Sequence, residues 1–112
     1  MPSSDELYSQ SERLKDEGKL AEAAATLEDL LKQEETHALA HSALAVLLGK
    51  LGRHAEAVQH AKRVCQLEPN DAFSFTAMSV IYQRAFAGTQ NQQYIHLAEE
   101  AMARSRMLQA GM

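Results

Sequence analysis

The chain has 112 residues and a formal charge of −4, which suits one domain with a modest core and excludes a catalytic domain joined to a second module. Apolar residues make up 46% of the chain and aromatic residues only 5%, with two prolines and five glycines. Close-packed helices fit this composition better than a β-sandwich, whose strands favour aromatic and β-branched side chains. We therefore expect an all-α domain.

Negative charge is concentrated in the N-terminal third. Residues 1–36 hold ten acidic and four basic side chains, whereas residues 37–71 and 72–112 each hold one more basic than acidic side chain. A nucleic-acid ligand would need a concentrated basic surface, so we do not expect one. A solvated helix face is the ordinary explanation of the acidic third.

Neither an oxidising compartment nor a membrane is indicated. Cys65 is the single cysteine and cannot form an internal disulfide, and residues 1–10 lack the basic and apolar regions of a signal peptide. No apolar run approaches the length that spans a bilayer. We expect a soluble, cytoplasmic protein.

The segment Leu44–Asp71 has the organisation of two helices joined by a turn. It places Ala45, Ala57 and Pro69 at two equal intervals of twelve residues. Gly52 lies between two stretches of helical periodicity and can adopt the left-handed conformation that ends a helix, and a proline cannot continue one. The segment predicts a helix–turn–helix unit of roughly 34 residues.

The same unit is present upstream at a shift of 34 residues. Ser3 and Glu6 have the spacing of a capping box, which begins a helix that runs to about Glu17, and a second helix runs from about Leu20 to Lys32. The shift aligns small residues, a turn glycine and apolar positions, namely Ser11 with Ala45, Leu14 with Leu48, Gly18 with Gly52, Ala23 with Ala57 and Leu30 with Val64.

A third unit departs from this spacing. Its helices are predicted over residues 72–86 and about 92–108. Seven extra residues lie between them, within Ala87–Gln93, and their Gly, Asn and Gln content predicts an elongated loop, which a longer first helix could accompany. The first helix of the third unit aligns with the second unit at a shift of 34 residues, which pairs Ser79 with Ala45. The last helix aligns only at a shift of 41 residues, which pairs Ala98 with Ala57.

With these motifs the chain resembles the tetratricopeptide repeat proteins, in three repeats over about residues 4–37, 38–71 and 72–112. The resemblance implies a right-handed superhelical stack of six helices, since one helix pair cannot bury its apolar face alone. It also implies a non-enzymatic adaptor that binds another protein. The central repeat matches the family pattern best, through Leu44, Ala45, Leu48, Gly52, Ala57, Val64 and Pro69.

The family lines a concave groove with the first helix of each pair, and this implies a set of partner-binding residues. Helices 38–51 and 72–86 are apolar on nearly every side, and such a helix is either enclosed or presents apolar surface to a partner. Acidic side chains at one end and basic ones at the other would orient a bound peptide or helix. The candidate positions are Tyr8, Glu12, Leu39, Ser42, Val46, Lys50, Phe73, Thr76, Val80 and Arg84.

One specialisation of the family is not expected. Tetratricopeptide domains that hold the C-terminal carboxylate of a chaperone use Lys, Asn and Arg side chains in the groove. None of these three residue types stands at the matching positions here, so a carboxylate-tail ligand of this type is disfavoured. The matching positions are Tyr8, Glu12, Ser42, Val46, Phe73 and Ala77.

A structural scaffold that assembles from copies of itself is the alternative function. Repeat arrays usually end in a polar capping helix, and no helix is predicted after Leu108. A second copy would cover the apolar side chains of the last helix in a homodimer or larger assembly, while a short frayed cap with these residues turned inward is the other explanation. The candidate oligomer face consists of Ile95, Met102, Met107 and Leu108.

Catalytic and metal-binding patterns are weak. His37 and His41 have a spacing that can hold a metal, but Ala38 stands where a zinc-protease helix has glutamate, and no third ligand is evident. Cys65 is expected to be a buried thiol without an activating neighbour. We expect no enzyme activity, no metal and no cofactor, and a metal-dependent or thiol enzyme is the least favoured interpretation.

Overall fold

The computed structural model describes residues 1–111, which contain six α-helices and no β-strand. Each helix packs against the next along the chain, so that three pairs stack on one another. The expected all-α stack of three helix–turn–helix repeats is confirmed. The helices are α1 (Ser4–Asp16), α2 (Leu20–Gln33), α3 (Ala38–Lys50), α4 (His54–Leu67), α5 (Ala72–Thr89) and α6 (Gln93–Gln109).

Side-chain caps determine where α1 and α5 begin. Ser3 and Glu6 form the predicted capping box, in which the Ser3 hydroxyl accepts the Glu6 N–H and the Glu6 carboxylate accepts the Ser3 N–H, both at 3.2 Å. Asp71 begins α5 by accepting the N–H of Phe73 at 3.0 Å and the hydroxyl of Ser74 at 3.1 Å. Such caps satisfy backbone donors that have no partner within the helix.

The first helix ends in the same turn in repeats one and two. Gly18 and Gly52 have φ of +81° and +80°, in the left-handed region that glycine adopts without strain. The next residues, Lys19 and Arg53, each donate their N–H at 2.8 Å to the carbonyl five residues earlier. These bonds pair carbonyls that a helix end leaves free, so each glycine fixes the start of the following helix.

Small residues bring the two helices of a repeat close together. In repeat one the Ser11 hydroxyl donates to the Ala23 carbonyl at 3.3 Å, and in repeat three the Ser79 hydroxyl donates to the Ala98 carbonyl at 2.9 Å. These are equivalent positions under the predicted shifts of 34 and 41, so the third repeat keeps the packing register of the first. Fully buried leucines fill the core between the helices: Leu27, Leu30, Leu44, Leu47 and Leu48.

The loop within Ala87–Gln93 is shorter than predicted, and the structure contains the longer first helix that could accompany it. α5 continues to Thr89, and only residues 90–92 separate it from α6. The reason lies at Phe86, which occupies the position of the helix-ending glycine in the other repeats and has a bulky side chain that disfavours positive φ. The helix ends instead at Gln90, whose φ is +61°.

The helices α1, α3 and α5 follow one another along one side of the stack, and grooves separate neighbouring members of this row. The first helices of the three repeats therefore share one side of the stack. Within residues 1–111, no helix has both the length and the apolar character that crossing a membrane requires.

Candidate functional site

A groove between α1 and α3 brings together five of the predicted partner-binding residues. Its volume is about 250 Å³. The five residues are Tyr8, Glu12, Leu39, Ser42 and Val46, and they provide an aromatic ring, a carboxylate, a hydroxyl and two aliphatic groups. Such a mixture of apolar surface and a few polar groups is typical of sites that bind organic ligands or peptide side chains.

A second groove, between α3 and α5, continues the first. It has a volume of about 210 Å³ and includes four predicted residues, Ser42, Val46, Val80 and Arg84. Ser42 and Val46 line both grooves, so the two cavities form one surface across all three repeats. We call this surface, with the exposed side chains along its edge, the concave groove.

Large apolar side chains along the concave groove are exposed to solvent. Leu39 is 64% exposed and Phe73 is 76% exposed, and they occupy equivalent positions near the starts of α3 and α5. Val80 is 38% exposed. Packing within the stack therefore encloses much of α3 and α5 but leaves these three side chains uncovered.

Charged side chains lie along the concave groove. Glu12 and Lys15 of α1 both line the first cavity and form a surface ion pair at 3.8 Å, and Asp16 is exposed next to Lys15. Lys50 and Arg84 are exposed on α3 and α5. An exposed ion pair contributes little to stability, but charged groups along a groove can set the orientation of a charged ligand.

Three predicted residues do not line either cavity. Lys50 and Phe73 are exposed at the end of α3 and the start of α5. Thr76 is directed elsewhere, because its hydroxyl lies 2.6 Å from the Ser105 hydroxyl of α6 and donates to the Ala72 carbonyl at 3.3 Å. The Thr76 side chain therefore joins α5 to α6.

The structure divides the four residues of the predicted oligomer face. Ile95 and Met102 line a third cavity, of about 430 Å³, between α5 and α6 at the C-terminal end of the stack. Met107 is 45% exposed and Leu108 is half-buried, and neither lines this cavity.

A histidine pair that no sequence motif revealed connects α3 and α4. The Nδ1 atoms of His41 and His60 are 2.9 Å apart, and Nε2 of His41 lies 2.7 Å from the Glu35 carbonyl. Because a carbonyl can only accept, a neutral His41 carries its proton on Nε2, and its Nδ1 accepts a hydrogen bond from the Nδ1–H of His60. Burial, followed by the charge of His41, lowers the pKa of His60.

The His37 and His41 spacing does not describe a common site. The Nδ1 atom of His37 accepts the Ala40 N–H at 3.0 Å and so caps α3, while its ring stacks on Tyr8 with centroids 5.9 Å apart. His41 points to the pair with His60. Across residues 1–111, no three His, Cys, Asp or Glu side chains are grouped in a way that could hold a metal ion.

The prediction that Cys65 is a buried thiol is confirmed. Its Sγ lies 3.5 Å from the Ser74 carbonyl and 3.8 Å from the Met78 sulfur. Burial, assisted by the charge of Asp71, raises the pKa of the thiol to about 11. The thiolate, which is the nucleophilic form, is therefore scarce at neutral pH.

Comparison with known proteins agrees with this architecture. A family model described as "Psidin, N-terminal TPR repeats region" matches residues 13–109. The matched segment begins within α1, contains α2 to α5 entirely and ends with α6. No curated protein sequence matches the chain.

Proposed function

The chain belongs to the family of the N-terminal tetratricopeptide repeats region of psidin, and on this premise we propose that it is a non-enzymatic adaptor for another protein. Tetratricopeptide repeats act in protein–protein interaction, and the family is generally non-enzymatic. Repeat stacks of this kind present extended concave surfaces to their ligands. We assign the ligand, a peptide or helix of the partner protein, to the concave groove.

The observation that carries this proposal is the exposure of Leu39 and Phe73, at 64% and 76%. Two large apolar groups in equivalent repeats lie on the same side of the stack, one repeat apart. Exposed apolar side chains arranged in this way contribute affinity when a partner covers them, because their apolar surface then leaves water.

Affinity and orientation have separate sources in the proposed complex. The apolar side chains Leu39, Val46 and Phe73 supply the contacts that anchor the ligand. The carboxylate of Glu12 and the guanidinium of Arg84 lie on different repeats and select the direction in which a charged ligand docks.

Partner capture with a groove variant tests the proposal. The protein is used as bait in an extract of the cells that produce it, and bound proteins are quantified by mass spectrometry. Phe73→Glu places a charge at the most exposed apolar position of the groove, so we expect the partner signal to fall by roughly tenfold or more.

Met107→Glu is the matched control, because Met107 is also an exposed apolar side chain but lies outside the concave groove. It should retain the partner, and both variants should keep the circular dichroism spectrum of the unmodified protein. Retention of every captured protein by a folded Phe73→Glu variant would contradict the assignment of the ligand to the groove.

A further inference from the structure

Packing between repeats follows a fixed pattern inside the stack. The first helix of one repeat packs on the second helix of the repeat before it, as Cys65 of α4 shows by its contacts with Ser74 and Met78 of α5. Seven residues before Cys65 and seven residues after Ser74, Val58 and Ile81 are buried as well. Helices joined by a short turn run antiparallel, and from this geometry we infer that Val58 and Ile81 face each other two turns further along.

The C-terminal end of the stack has charged residues at both of these positions. The shift of 41 places Arg106 where α4 has Cys65 and Glu99 where α4 has Val58. Both charged residues are exposed and line the cavity of about 430 Å³ between α5 and α6, with Met102 in its apolar wall. This cavity is therefore the groove into which another first helix would pack.

The N-terminal end of the stack is also charged where the interior is apolar. In α3 and α5, one face of the helix packs on the preceding repeat. The equivalent face of α1 is exposed and carries an acid, an amide and a base, which are Glu6, Gln10 and Arg13. Two repeat lengths separate the corresponding residues of α1 and α5, which are Glu6 with Ser74, Gln10 with Met78 and Arg13 with Ile81.

We propose that copies of this chain associate head to tail, with α1 of one copy docked in the cavity between α5 and α6 of the next. In the register of the internal junctions, Glu6 faces Arg106 and Arg13 faces Glu99. Both contacts then join opposite charges, which fixes the register and orientation of the docked helix. A second copy is the occupant because the chain itself carries both halves of this charge pattern.

The two surfaces of this contact are different, so each docking leaves one free surface of each kind. A contact of this type adds further copies, in an open series or a closed ring, and does not stop at a dimer. Gln10 lies at the centre of the contact, opposite the apolar wall that contains Met102, where α3 and α5 have Leu44 and Met78. The association is accordingly weak and sensitive to salt.

Sedimentation analysis of the unmodified protein and of Gln10→Leu, each up to roughly 1 mM at low salt, tests the existence of the contact. The leucine restores the apolar residue of the internal junctions, so we expect Gln10→Leu to tighten association by roughly tenfold, with a mean mass that grows beyond that of a dimer. Glu22→Leu, on the exposed side of α2, is the control for a general increase in apolar surface.

Charge exchange tests the register. In the Gln10→Leu background, Arg13→Glu places like charges together and should weaken association by roughly fivefold or more, and added Glu99→Arg should restore it. Glu100→Arg, on a neighbouring face of α6, should not restore it. In sedimentation, the proposal is overturned if the unmodified protein and Gln10→Leu are both monomers at every concentration, or if the mean mass stops at that of a dimer. In the charge exchange, it is overturned if Arg13→Glu leaves association unchanged, or if Glu99→Arg does not restore the association that Arg13→Glu removes.

Discussion

The hydrogen bond between His41 and His60 is a polar contact between α3 and α4 in a stack whose core consists largely of Ala and Leu side chains. Burial is the largest cause of the lowered pKa of His60. Glu28 of α2 and Glu56 of α4 oppose this effect, and the charges of His41 and Arg53 reinforce it. The folded protein therefore favours a neutral His60.

Acidification should weaken the fold through this histidine. The pKa of His60 in the unfolded chain is near 6.5 and lies lower in the folded protein, so the unfolded state takes up its proton first as the pH falls. The free energy of unfolding should decline as the pH drops below about 6.5, until the folded state is also protonated. Chemical unfolding at a series of pH values measures this slope.

His60→Gln should reduce that slope, whereas His96→Gln, which removes an exposed histidine from α6, should leave the contribution of the pair in place. An equal pH dependence in the protein with and without His60 would show that the buried pair does not control it.

Cys65 should react slowly while the protein is folded. Its raised pKa of about 11 and its burial keep the thiolate scarce and the sulfur inaccessible. We expect a thiol reagent at pH 8 to modify Cys65 at least roughly tenfold more slowly in the folded protein than in denaturant. Modification at the same rate in both states would contradict the packing of α4 on α5.

Roles that depend on near neighbours in the chain could be predicted at this scale, and roles that depend on tertiary packing could not. The capping box of Ser3 and Glu6 is set by residues three apart, and the structure confirms it. His41 and His60 are nineteen residues apart on different helices, so their contact depends on how α3 and α4 pack. The contact between Thr76 and Ser105 of α6 also depends on how two helices pack, so the sequence did not predict it.

At the scale of the elements, the extension of α5 is the main difference between repeats. It carries Gly88 past the end of the shorter first helices and against the start of α4, where a Cβ added at Gly88 would overlap the imidazole of His54. Composition alone predicted a loop here, because glycine, asparagine and glutamine are typical of loops. The glycine instead permits close contact between two helices.

Two glycine substitutions should have opposite effects on stability. Gly88→Ala forces the His54 ring to move, which should cost more than the helix gains from alanine and should lower the free energy of unfolding by about 1 kcal/mol. Gly49→Ala is the matched control in α3, where an added Cβ meets nothing within 4 Å, and it should raise the free energy of unfolding by about 0.5 kcal/mol. Chemical denaturation of the two variants gives both values.

His54→Ala supplies a second test of the same contact. Removal of the imidazole should abolish the cost of Gly88→Ala, so the effects of the two substitutions should not add. Strict additivity would mean that Gly88 and His54 do not contact each other in solution.

At the scale of the whole molecule, the repeat spacing predicted the architecture. The shifts of 34 and 41 aligned Ser11 with Ser79 and Ala23 with Ala98, and the structure forms the same hydrogen bond in both places. The register could be predicted because small residues are needed wherever two helices approach closely. The degree to which neighbouring repeats enclose a helix could not be predicted from the sequence, since it depends on side chains from three repeats at once.

Apolar side chains of α3 and α5 differ in how far the neighbouring helices cover them, and this difference distinguishes the core from the groove. The sequence left open whether the apolar helices α3 and α5 were buried on every side or presented apolar surface. Leu44 and Leu48 are fully buried, whereas Leu39 and Phe73 are mostly exposed. Stacking thus accounts for most of the apolar residues and leaves a smaller set for a partner.

The most direct test of the concave groove uses two phenylalanines of the same helix. Phe73 is 76% exposed on the groove side, whereas Phe75 lies by Arg104 of α6, whose guanidinium is 5.9 Å from its ring centroid. A photo-reactive phenylalanine analogue replaces one residue or the other, and crosslinked proteins are identified in a cell extract. We predict a crosslinked partner from position 73 and none from position 75, whereas crosslinking from position 75 alone would contradict the assignment of the ligand to the concave groove.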